Sequence, residues 1–101
     1  MHIEEAHLFT AEEAQQRLKL LVDSWERKVG LVAKWDGSNV KVNGKAMGVT
    51  IQADIHVEAK RIVAEGADPG LLFRSAAIGY IKRKFGEYFD PKVSLADLAK
   101  H

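Results

Sequence analysis

Asp36-Gly37 and Asn43-Gly44, both inside the stretch Leu31–Val57, constrain this chain more than any other feature. Each pair favours a two-residue hairpin turn, because both central positions of a type I′ turn need φ > 0. Tight turns at both places fix a register. Trp35 then faces Ser38, Ala33 faces Val40 and Leu31 faces Val42 around the first. Val42 faces Lys45, Val40 faces Met47 and Ser38 faces Val49 around the second. Side chains alternate along a strand, so Leu31, Ala33, Trp35, Val40, Val42, Met47, Val49 and Ile51 share one face. Lys34, Asn39, Lys41, Thr50 and Gln52 share the other, with Val32 and Ala46 out of pattern. Turn chemistry and binary pattern agree on an antiparallel sheet with one apolar face.

An apolar sheet face needs a cover, and the flanking segments supply two helices. Thr10-Ala11-Glu12-Glu13 is a capping box: the hydroxyl accepts an orphan N–H and Glu13 reaches back. Ala14, Leu18, Leu21, Trp25 and Val29 follow at helical spacing, with Val22 widening the stripe. Gly30 sits where a left-handed C-cap belongs, which gives a helix over 11–29. Glu13 and Arg17 form an i,i+4 pair on its wet side, worth tenths of a kcal/mol. The second helix starts with Asp68 as N-cap and Pro69 at its first position. It runs through Leu71, Leu72, Phe73, Ile78, Ile81, Phe85 and Phe89 to the stop at Asp90-Pro91. Ser75, Gly79 and Gly86 make a strip of small residues along it. Each glycine costs about 1 kcal/mol against alanine, so the strip implies close approach of another backbone, the sheet or a second copy. Ile3 marks a short edge strand within residues 1–8, and Arg61–Ala67 reads as a last strand after a turn somewhere in Asp54–Lys60. Ser94-Leu95-Ala96-Asp97 repeats a capping box ahead of a helical turn or a frayed end. The fold is thus one α+β domain over 1–91, ordered β-α-β-β-β-β-α, an antiparallel meander with both helices on one face. Residues 92–101 form a tail.

At 101 residues the chain builds one core without staples. The absence of cysteine excludes disulfides and thiolate metal sites. No apolar run approaches the roughly 20 residues a bilayer span needs, and no signal peptide is visible, so we expect a cytoplasmic protein. Residues 1–30 carry four basic against six acidic side chains, and residues 69–101 carry six against three. That asymmetry is too mild for a dedicated nucleic-acid binder. Lys82-Arg83-Lys84 fans over about 200° of a helix and makes no groove-tracking stripe. His2 and His7 point to opposite faces of a strand. Asp54 and His56 share a face, a weak acid–base or metal pairing that an exposed strand explains as well. With no HExxH, serine elbow or phosphate loop, the sequence offers no catalytic residue, metal ligand or cofactor site. Trp25 and Trp35 both fall on core faces and are expected to pack together.

Several short motifs resemble the small polyhydroxyalkanoic acid system family, whose members accompany polyhydroxyalkanoate synthases and phasins in bacteria. They are Ala6-His7-Leu8 before the first helix, Val29-Gly30-Leu31, Lys34-Trp35-Asp36-Gly37, then Gly48 and Ile51, and Gly70-Leu71-Leu72 at the last helix. The resemblance implies a non-catalytic accessory protein of polyhydroxyalkanoate granules or their synthesis, meeting the polymer or granule-coating proteins. Apolar surface of the Leu71–Phe89 helix, with Phe73, Gly79, Tyr80, Phe85 and Tyr88, is the candidate interaction surface. Two other readings stand beside it. One is a sheet–helix cavity for a lipid or acyl-type ligand, lined by Met47, Val49, Ile51, Ile78, Ile81 and Phe85. The other is a homodimer through the small-residue strip or the sheet edge.

Overall fold

The computed structural model describes residues 1–46 and 48–100; Met47, His101 and the side chain of Ala46 lie outside the described residues. Five strands form one antiparallel sheet: β1 (His2–Ala6), β2 (Val32–Asp36), β3 (Asn39–Ala46), β4 (Val49–Val57) and β5 (Arg61–Gly66), in spatial order β1-β5-β4-β3-β2. Helix α1 (Ala11–Ser24) continues into a π-helical turn, Trp25–Val29, and α2 (Arg74–Tyr88) and the short α3 (Leu95–Leu98) follow the sheet. This is the expected α+β order, with α1 over β4 and α2 over β1 and β4.

Both hairpins turn later than the dipeptides imply. Asp36 pairs with Asn39, so the first loop is Gly37-Ser38, with Gly37 at φ 62°. Trp35 therefore faces Val40, not Ser38. Asn43-Gly44 makes no turn at all: Asn43 pairs with both Val32 and Gln52 inside the sheet. The chain reverses between Ala46 and Val49, with Gly48 at φ 78°. Val40 then faces Ile55, where the sequence reading paired it with Met47. A reversal at Asn43-Gly44 would have left Ala53 and Ile55 without inward partners on β3. The longer hairpin buries them against Val42 and Val40. Gly44 is glycine for a different reason. At φ 145° it lies under the start of β2, where a Cβ would come within 2.7 Å of Leu31 Cδ2 and 3.3 Å of its Cα.

The displacements are two residues at the first hairpin and eight at the second, both even, so no side chain changes face. Ile3, Val40, Val42, Val49, Ile51, Ala53, Ile55, Ile62 and Ala64 are buried. Against them pack Ala14, Leu18, Leu21, Val22 and Trp25 from the first helix, and Ala77, Ile81, Phe85, Tyr88 and Phe89 from the second helical segment. Thr10 caps α1 by accepting the Glu13 N–H at 3.1 Å, and Gly30 closes the π turn at φ 80°. Trp25 stacks on Tyr80, with ring centroids 6.5 Å apart. Trp35 instead lies 37% exposed on edge strand β2.

Arg17 is not on the wet side of α1. It is 2% exposed, with its guanidinium 4.0 Å from the Phe9 ring centroid. Nε donates to Glu13 Oε2 at 3.0 Å, which turns that carboxylate forward along the helix. Nη1 donates to the carbonyls of Tyr88 (3.0 Å) and Asp90 (3.4 Å), and Nη2 to that of Val93 (2.7 Å). The cation thus satisfies orphan carbonyls at the C-terminus of α2, where the helix dipole favours positive charge. It also holds the residues after Pro91 in place, so α3, capped by Ser94, buries Leu98 in the core. His7 performs a similar task at the other loop. Its Nδ1 accepts the Phe9 N–H at 3.2 Å, which leaves Nε2 to donate to the Glu58 carbonyl at 2.9 Å.

Two stability predictions follow from these contacts. Arg17→Met should cost about 3 kcal/mol, because one buried and two part-buried carbonyls lose their donor at once. Arg17→Lys should recover only part of this, since a point charge cannot serve the same fork of acceptors. Both are read from urea unfolding. Gly66→Ala should cost about 1–3 kcal/mol, because its Cβ would run into the Gln52 carbonyl oxygen and Ala53 Cα, both backbone atoms. Gly79→Ala and Gly86→Ala should each stabilise by about 0.5–1 kcal/mol, because nothing lies within 4 Å of either new Cβ.

Candidate functional site

Helix α2 does not begin at Asp68-Pro69. Gly70 adopts φ 102°, outside any helix, and Asp68 Oδ1 accepts its N–H at 2.9 Å. The other Asp68 carboxylate oxygen pairs with the Arg74 guanidinium. Arg74, and after it the Gly70 N–H, holds the Asp68 carboxyl below its ordinary value of 3.8. The Gly70 carbonyl accepts from Phe73 N (3.1 Å) and Arg74 N (3.0 Å), so residues 70–73 form a tight turn that feeds the helix. That turn swings Leu71, Leu72 and Phe73 out of the core, to 84%, 89% and 48% exposure. Three consecutive large apolar side chains are displayed on a pinned loop.

From Ser75 onward, after the turn, α2 lines a groove of about 280 Å³. One wall is the start of β4, Val49 and Ile51; the other is the stripe of α2 bearing Ser75, Ala76, Gly79, Tyr80 and Arg83. Gly79 keeps this space open, since the place of its missing Cβ is empty. The glycine strip therefore makes no close approach to the sheet, contrary to the sequence expectation. Tyr80 connects the groove to the interior: it stacks on Trp25, and Arg83 and Lys84 stand 5.6 and 6.0 Å from its ring centroid. Among the described residues, the Trp25 indole Nε1 is the one buried side-chain polar atom without a partner.

Of the five residues proposed from sequence, the structure brings two together and leaves a third exposed nearby. Phe73 lies on the exposed turn, and Gly79 and Tyr80 line the groove. Phe85 and Tyr88 do not belong to any surface; they are fully buried in the core. The expected cavity lining is likewise divided. Val49 and Ile51 face the groove, Ile81 and Phe85 are sealed in the core, and Met47 lies outside the described residues. Leu71 and Leu72, expected in the helix core, are exposed; the only local hint is Gly70, a residue free to leave the helical region for φ > 0.

The titratable groups gather elsewhere, on the uncovered sheet face. Asp54 and His56 do share that face, but His56 Nε2 bonds to Glu58 at 2.8 Å. Arg61 bridges Glu58 and Glu4, each at 2.7 Å. Both ring nitrogens of His2 face carboxylates, Glu4 at 2.9 Å and Glu65 at 3.0 Å. Two acceptors require two donors, so the ring is best accommodated as imidazolium. Glu4, and after it Glu65, raises His2 above its ordinary 6.5. Glu4 is lowered chiefly by His2, and Glu58 chiefly by Arg61, from 4.5. Among the described residues no group of three or more such side chains is placed to hold a metal ion. The arrangement ties edge strand β1 to β5 and β4.

The sign of its pH dependence follows. The His2 contribution is complete below pH 6.5 and is lost as pH rises through the raised value. The Glu4 and Glu58 contributions are complete above 4.5 and are lost as pH falls through the lowered values. An NMR titration should give His2 a pKa above 6.5, and Glu4→Gln should bring it down further than Glu65→Gln does.

No helix of the described residues is long and apolar enough to cross a membrane. No curated protein and no solved structure matches the chain. A family model described as "Putative polyhydroxyalkanoic acid system protein" matches residues 1–92 of the 101, and the segment it spans contains β1 to α2 entire, with the pinned turn and the groove. The chain belongs to the polyhydroxyalkanoic acid system family.

Proposed function

We propose that this protein is a non-catalytic accessory protein of the polyhydroxyalkanoate system that attaches to an apolar surface, the polymer or the coat of a granule, through the Leu71-Leu72-Phe73 turn. The observation that carries this reading is the display of Leu71 and Leu72 at 84% and 89% exposure on a turn fixed by Asp68, Gly70 and Arg74. Burying a leucine or phenylalanine contributes roughly 1.5–3 kcal/mol. Three of them give a weak, reversible attachment, suited to a surface that offers many equivalent places. Arg74 directly follows the apolar turn, and Lys82 and Arg83 are exposed further along α2, which fits a surface bearing anionic groups at its boundary.

The groove favours a second reading, a site for a short acyl-type chain. Its walls are apolar, and its volume of about 280 Å³ lies near the lower end for small-molecule sites. Arg83 at its side would suit a carboxylate end.

The two readings separate experimentally. Purified protein should co-sediment with polyhydroxyalkanoate granules, and Leu71→Ser/Leu72→Ser should lower the bound fraction at least tenfold while leaving the fold intact. Co-sedimentation unchanged by that double variant would sink the surface reading. Under the acyl-chain reading, hydroxyacyl or fatty-acid titration instead changes the Trp25 fluorescence, Gly79→Leu abolishes the change, and the double serine variant leaves it intact.

A further inference from the structure

Both long helices cover one face of the sheet, and the opposite face is open. Across its middle the register aligns one row of exposed side chains: Lys34, Lys41, Asp54, Glu65 and His2, on β2, β3, β4, β5 and β1 in turn. The signs over the first four strands run plus, plus, minus, minus. Lys34 stands directly opposite Lys41, an arrangement that is destabilising unless something neutralises it. Among the described residues neither lysine forms an ion pair, and Asp54 forms none, although it is the cross-strand partner of Lys41. Glu65 is paired with His2 through one oxygen.

A plus-plus-minus-minus row is its own complement under a two-fold rotation. We propose that the open sheet face is a self-association surface, and that its occupant is a second copy of this chain. The axis runs parallel to the strands, between β3 and β4. It stacks β3 on the partner's β4 and β2 on the partner's β5. Lys41 then meets the partner's Asp54, and Lys34 meets the partner's Glu65, each contact occurring twice. The adjacent row agrees: Asn43 and Gln52, neighbours on β3 and β4, pair amide to amide across the same axis. A lysine and a carboxylate end to end about fill the ~10 Å between stacked sheets. The overlap is four strands, about 19 Å across, which is small for a permanent interface. The dimer is therefore reversible, and its charges make it salt-sensitive.

Sedimentation velocity and native mass spectrometry test this on the full chain. The wild type should be dimeric at about 100 µM in low salt and should dissociate by about 0.5 M salt, where screening is strong. Lys34→Glu/Lys41→Glu makes the four-residue row across β2 to β5 wholly acidic, and Asp54→Lys/Glu65→Lys makes it wholly basic. Each variant alone should be monomeric, with the dimer Kd weakened at least tenfold, and an equimolar mixture should form the heterodimer. All four positions are exposed, and circular dichroism checks folding. If a reversed variant fails to fold, the neutral Lys41→Gln/Asp54→Asn should still weaken the dimer and remove most of its salt dependence. A wild type that stays monomeric, charge variants that dimerise like the wild type, or a mixture that forms no heterodimer would each overturn the proposal.

Discussion

The burial of one guanidinium, that of Arg17, sets the position of nearly everything above the sheet. A charge removed from water must be returned a full complement of partners. Arg17 receives one carboxylate, three carbonyls and an aromatic ring, drawn from the loop before α1, α1 itself, the end of α2 and the segment after it. Each acceptor is a backbone or short-tethered group, so satisfying the cation fixes where the chain leaves α2. With its C-terminus held against α1 and its middle packed through Ile81 and Phe85, α2 has its other end tied only to the Asp68–Gly70 segment. That half of the helix is where Ser75, Ala76 and Gly79 stand away from the start of β4. The groove is the gap left when a helix is clamped at one end and the sheet beneath it is wider than the cover it receives.

The strands were legible because the information that defines their faces has period two. Both turns were misplaced, yet by even numbers, and a sheet's inside and outside survive any even error. Asn43-Gly44 misled because a glycine has more than one use. A local reading sees its freedom at φ > 0, while the Leu31 side chain lying over it is a contact between elements. Gly48 carried the same turn chemistry without its usual asparagine or aspartate. The first helix was legible to its cap because Thr10 and Gly30 act locally. Arg17 was not: an i,i+4 partner at Glu13 is what a solvated arginine also shows, and the carbonyls that bury it come from residues more than seventy positions away.

The candidate site was only partly legible, for a related reason. Asp68-Pro69 is a sound helix start, and the three apolar residues after Gly70 fit a helical stripe. The conflict lay in Gly70 itself, whose positive φ ends one segment and begins another. Once the turn is recognised, Leu71 and Leu72 change from core to surface, and the apolar stripe of α2 shortens to Ala77, Ile81, Phe85 and Tyr88. Exposed leucines on a pinned loop conflict with local preference, and such conflicts in a well-formed domain tend to mark function.

The two proposed surfaces reinforce each other through geometry. A two-fold axis parallel to the strands leaves the ends of the two sheets aligned, so whatever lies at one end of the monomer appears twice at the same end of the dimer. The Leu71–Phe73 turn follows the end of β5 and leads into the part of α2 that faces the start of β4, at a single end of the sheet. Self-association through the open face would therefore present two apolar turns at the same end of the dimer, one on each outer helical layer, toward one surface. A single turn gives weak attachment, but two on one body make the second contact intramolecular, and avidity can exceed either affinity by about 10²–10⁴. An axis perpendicular to the strands would send the turns to opposite ends and lose this gain. The charge row selects the first arrangement, because only an axis lying between β3 and β4 sets its two halves against each other.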